Sequence, residues 1–117
     1  MLPSTRRERY LQQDTPTRLG GLAADLARVV TAAKVPALAV IDLLEESRAF
    51  VEWSAPDLLP DRVNDAARLV EAQRWLTHWY WNWDKLQNDP AQRAKLAEQA
   101  QQWSDEVLKM SGLLDQE

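Results

Sequence analysis

Apolar residues recur every three or four positions through most of this chain, the spacing of helices that each bury one face. Leu19, Leu22, Leu26, Val29, Val30 and Ala33 set the first stripe. Thr15-Pro16 fits its start, because threonine can cap free N–H groups and proline suits the first helical position. Gly20-Gly21 weakens the early turns by about 1 kcal/mol per glycine relative to alanine, or else permits close approach of another helix. Val35-Pro36 ends the element, since the residue before proline is driven out of helical geometry. A second stripe, Val40, Leu43, Leu44, Ser47, Phe50 and Val51, runs to about Ser54. Leu38, Ile41 and Trp53 lie partly off it, which predicts burial on more than one side. Residues 55–61 read as a loop whose two prolines bracket Leu58-Leu59, an apolar pair expected to tuck inward.

The third predicted helix spans about residues 61–88 and carries the most distinctive feature. Trp75, Trp79 and Trp83 stand four residues apart, with Trp81 between the last two. At about 100° per residue the first three fall within roughly 80° of arc, while Trp81 points about 200° away from Trp79. Leu69, Ala72, Leu76, Trp79, Trp83 and Leu86 alternate in steps of three and four, the seam of an antiparallel bundle. Val63, Ala66, Val70, Thr77 and Trp81 form a second line on the other side.

Asn88-Asp89-Pro90 breaks the pattern. Asp89 is a good N-cap, Pro90 a good first residue and Gln92 completes a box-like start. Leu96, Ala100, Trp103, Val107, Met110 and Leu114 follow in helical steps, and Gly112 is placed as a C-terminal stop. Asp105 and Lys109 are spaced for an i,i+4 ion pair. Four helices with short connections predict an all-α, four-helix antiparallel up-and-down bundle over residues 15–117. Residues 1–14 read as a mobile N-terminal arm, or as one or two helical turns, bearing Arg6, Arg7 and Arg9.

Composition narrows the chemistry. The 117 residues make a single domain. A net charge of −4 argues against bulk attraction to nucleic acid or anionic lipid. Cysteine is absent, so neither disulfide nor thiolate chemistry is open to the chain, and a reducing cytoplasm suits it. The apolar stretch 35–41 is far shorter than the ~20 residues of a membrane span, and no apolar run of secretory type follows the arginines. His78 is the single histidine, without a Glu-x-x-His pattern, so no metal site is expected. Asp42, Glu45, Glu46 and Glu52 read as a solvated acidic strip. With no phosphate loop, nucleophile elbow or dinucleotide fingerprint, no catalytic residue and no cofactor is expected.

Two stretches, 43–53 (LLEESRAFVEW) and 102–114 (QWSDEVLKMSGLL), together with the Trp-rich third helix, resemble a family of small all-helical proteins from cyanobacteria. The likeness covers about residues 19–114. It implies a bacterial cytoplasmic setting and no particular activity.

The expected function is a non-enzymatic protein–protein interaction module. Its partner-binding residues are Trp75, His78, Trp81, Arg74 and Lys85 on the third predicted helix, aided by Arg6, Arg7 and Arg9. Exposed tryptophan beside arginine is the usual anchor of an interface. The partner is another protein, with a homodimer as one version. Trp79, Trp83 and Trp103 are assigned to the core. Two alternatives stand beside this reading: a small hydrophobic ligand or pigment stacked on the aromatic ridge, and a nucleic-acid accessory role for the basic arm.

Overall fold

The computed structural model describes residues 4–35 and 39–115, with the side chains of residues 4–6 and 115 outside that description. It contains five α-helices and no strand among the described residues. These are α1 (Ser4–Gln12), α2 (Thr15–Lys34), α3 (Val40–Ser54), α4 (Val63–Leu86) and α5 (Pro90–Ser111). A 3-10 turn, Ala55–Leu58, follows α3, and another, Leu113–Asp115, follows α5. The predicted helices correspond to α2 through α5. The additional helix lies in the segment expected as an arm.

Helix ends follow local chemistry. Asp14, not Thr15, caps α2: its Oδ1 accepts from the Thr17 N–H at 2.9 Å, and Pro16 sits in the first turn. Asp89 accepts from the Ala91 N–H at 2.9 Å to start α5. Gly112 closes α5 at φ +74°, the left-handed region that glycine enters at no steric cost.

Arginine side chains finish the carbonyl ends of four helices. Arg18 donates to the Leu11 and Gln13 carbonyls at the end of α1 and pairs with Asp57. Arg93 donates to Ala33 O at 2.8 Å and Ala32 O at 3.2 Å at the end of α2, and to Gln87 O at 2.8 Å just past α4. Arg62 donates to Met110 O at 2.6 Å near the end of α5. Each guanidinium supplies donors and positive charge where last-turn carbonyls lack intrahelical partners. Arg93→Met is therefore expected to cost about 2–3 kcal/mol in urea denaturation, with Arg93→Lys recovering only part, because an ammonium cannot fork to two helix ends.

Packing is most extensive between α2 and α5, then between α2 and α3 and between α3 and α4. Ser104 on α5 donates from its hydroxyl to the Ala23 carbonyl of α2 at 2.8 Å. Leu19, Leu22, Leu26, Val29, Leu44, Leu69, Leu76, Leu96 and Val107 are sealed from solvent. The loop pair splits, with Leu58 buried and Leu59 exposed.

Of the two readings for the N-terminal segment, the helical one holds over residues 4–12. Residues 4–12 are helical, and Tyr10 is among the buried core. Its ring stacks on Phe50 with centroids 4.2 Å apart. Its hydroxyl donates to Arg18 O at 2.8 Å and shares a 2.6 Å hydrogen bond with Ser54 Oγ. Burial pushes the phenol up to about 12. One aromatic ring with two polar partners thus attaches α1 to α2 and α3.

Candidate functional site

The tryptophans of α4 divide between its two sides. Trp79 and Trp83 are buried and meet edge to face at 6.4 Å. Trp75 is half-buried and turned toward α5, where its ring packs 6.3 Å from Trp103. The Gln99 amide oxygen of α5 accepts from both Trp75 Nε1 at 2.7 Å and Trp79 Nε1 at 3.2 Å. Arg68 adds a strap: its guanidinium lies 4.6 Å over the half-buried Trp103 ring and forks onto Glu106 at 2.7 and 2.9 Å. Arg68 holds the Glu106 carboxyl below the usual carboxylate range.

Trp81 stands apart, 71% exposed on the outer side of α4. Val63 and Val70, at 56% and 48%, lie in line with it. Helical geometry places Val63, Ala67, Val70, Arg74, Thr77 and Trp81 within about 80° of arc. All but Thr77 are exposed. Leu59, also exposed, lies just before the start of this stripe. His78 and Lys85 are exposed beside it, and Asn82 donates to the His78 carbonyl at 2.8 Å. Tyr80 touches Trp81 edge to face at 5.4 Å and carries Arg48 of α3 at 4.7 Å over its ring. Trp81 is thus supported on one flank and open on the other.

The structure brings together Arg74, His78, Trp81 and Lys85 from the predicted residues. It separates Trp75, whose indole N–H and ring are occupied by α5. The cause is geometric: six helical residues turn about 600°, leaving Trp75 about 120° from Trp81. Arg7 and Arg9 are exposed on α1, and Arg9 lines a different feature altogether. The Arg6 side chain lies outside the described residues. Asp105 takes Gln101 Nε2 at 2.9 Å rather than the expected Lys109.

That different feature is a cavity of about 520 Å³ between α1, α2 and α3, lined by Arg9, Tyr10, Asp25, Arg28, Glu46 and Phe50 among others. Asp25 is fully buried there. Its Oδ1 takes the Arg28 guanidinium, whereas Oδ2 is buried without a donor partner. Glu46 of α3 meets this carboxyl. Loss of solvent, and then the hydrogen bond and charge of Glu46, push Asp25 up to about 7 against the opposing pull of Arg28. Burial beside a second carboxyl favours the protonated form of Asp25. Nothing in the chain's linear pattern marks Asp25, and Glu46, read as part of a surface strip, is half-buried. Among the described residues, no three His, Cys, Asp or Glu side chains gather as a metal ion requires. No helix among them is long and apolar enough to cross a membrane.

Comparison with protein-family models, curated proteins and solved structures finds no match to this chain.

Proposed function

We propose that this protein is a non-enzymatic interaction module of the cytoplasm. Its scaffold is a four-helix antiparallel up-and-down bundle of α2 to α5, onto which α1 is fastened, and it binds a protein partner through the outer face of α4. The bundle reading is supported by packing that closes a ring, α2 on α3, α3 on α4, α4 on α5 and α5 on α2.

One observation carries the functional reading: Trp81 is 71% exposed, in line with exposed Val63 and Val70. Exposed single apolar residues are ordinary on protein surfaces, but an aligned series including tryptophan marks interaction surfaces. Arg74 within the stripe and Lys85 at its edge make no ion pair among the described residues. They add positive charge to the face among and beside its apolar residues. The ligand alternative draws less support, because Trp75, Trp79 and Trp83 face α5 or one another.

Trp81→Ala tests the reading. The melting temperature should stay close to wild type, since exposed substitutions cost within about 0.5 kcal/mol. Capture of partner protein on immobilised variant, from extracts of the cells that make the protein, should fall to background. Equal capture by wild type and variant would remove the face from the interface.

A further inference from the structure

On the basis of that reading, we infer that the partner is a second copy of this chain, docked antiparallel, α4 against α4. The outer stripe advances from Val63 through Ala67, Val70, Arg74 and Thr77 to Trp81 in steps of four, three, four, three and four. That is heptad spacing, and it lies on the side of α4 opposite the seam that faces the core. A helix with two such seams can pack inward and outward at once.

Charge and size choose both the occupant and its direction. With two copies of α4 antiparallel about a dyad level with residue 72, Trp81 of each copy covers Val63 of the other, and Ala67 opposes Thr77. Small side chains at one end thereby receive the indole from the other end. Such a dyad also keeps each flank of the seam against the same flank of the second copy. Glu71 lies on the flank that holds Arg74, so each Arg74 meets the second copy's Glu71 near the dyad. Glu71 already contacts Arg68 of its own chain but remains half-exposed, with room for a second guanidinium. Parallel pairing would instead set Arg74 on Arg74 and Trp81 on Trp81, which aligns like charges and leaves the small residues uncovered.

The stripe is about 27 Å long and one helix wide. Such a contact falls at the small end of specific interfaces, the class of weak and transient association.

Sedimentation equilibrium across protein concentrations tests this directly. Wild type should pass from monomer to dimer. Trp81→Ala should weaken the dimer on the order of 100-fold, since both ends of the contact lose an aromatic anchor. Arg74→Glu should weaken it about tenfold or more, and Glu71→Arg combined with Arg74→Glu should restore it. Because the chain lacks cysteine, the direction can be read from disulfides. A mixture of Val70→Cys and Arg74→Cys chains should oxidise mainly to the mixed pair. Predominant Val70→Cys homodisulfides would overturn the antiparallel register. A wild type that stays monomeric to about 1 mM overturns the self-pairing. If that monomer still captures another protein in a Trp81-dependent way, the interaction face survives and only the identity of its occupant is wrong.

Discussion

Trp79→Ala is expected to lower stability by about 3–5 kcal/mol, the range for emptying a buried tryptophan site. Trp79 is 2% exposed, meets Trp83 edge to face and donates its indole N–H to Gln99. The truncation removes the ring contacts and opens a cavity between α4 and α5. A domain of this size holds about 5–15 kcal/mol in total, so the variant would be left marginal. Its melting temperature should fall by roughly 15 °C, because each kcal/mol moves a chain of this length by about 4 °C. Circular dichroism melts of wild type and variant check this. A fall of less than 5 °C would show that the space is refilled or that the ring is not packed as described.

Asp25→Asn should act in the opposite direction at neutral and alkaline pH. The Asp25 carboxyl has its folded-state pKa raised to about 7 from an ordinary 3.8, with burial the largest cause. A raised pKa means that the folded chain holds this proton more tightly than the unfolded chain. The stabilisation it gives is complete below about pH 4 and is lost as pH rises through about 7. At about 1.4 kcal/mol per pH unit, the swing is a few kcal/mol. Glu46 on α3 and Arg28 on α2 act directly on this carboxyl, and Arg9 and Tyr10 on α1 line the same cavity. An asparagine keeps the shape and supplies a permanent N–H donor toward Glu46. Urea melts at pH 4 and pH 8 should therefore show near-equal stability in acid and a variant more stable by a few kcal/mol in base. Other carboxylates, such as Glu106 beside Arg68, are present in both proteins and cancel in the difference. A variant less stable than wild type at pH 8 would show that the ion pair with Arg28 outweighs the desolvated charge.

Much of the helix layout was legible because it depends on short-range chemistry. Asp89-Pro90 and Gly112 act within a single turn, and they stop and start helices where the spacing predicts. The inward side of α4 was equally readable, since Leu69, Leu76, Trp79 and Trp83 keep one period for many turns. Tyr10 was not. An aromatic ring in a short, arginine-rich segment looks like a tail residue until Phe50, Ser54 and Arg18 are brought around it, and Ser54 lies 44 residues away. Asp25 was hidden for a related reason. A carboxylate next to Leu26 gives no sign of burial in one dimension, and its partner Glu46 sits on another helix. The split of Trp75 from Trp81 follows from helical angle alone. The attachment of Trp75 to Gln99 depends on where α5 lies.

The outer stripe remains the centre of the account, and its weight falls on a single side chain. Melting temperature and association measured together on Trp81→Ala test it most directly. An unchanged melt with lost self-association is the predicted pair of results. A melt that drops as far as that of Trp79→Ala, or a dimer that persists without the indole, would contradict it.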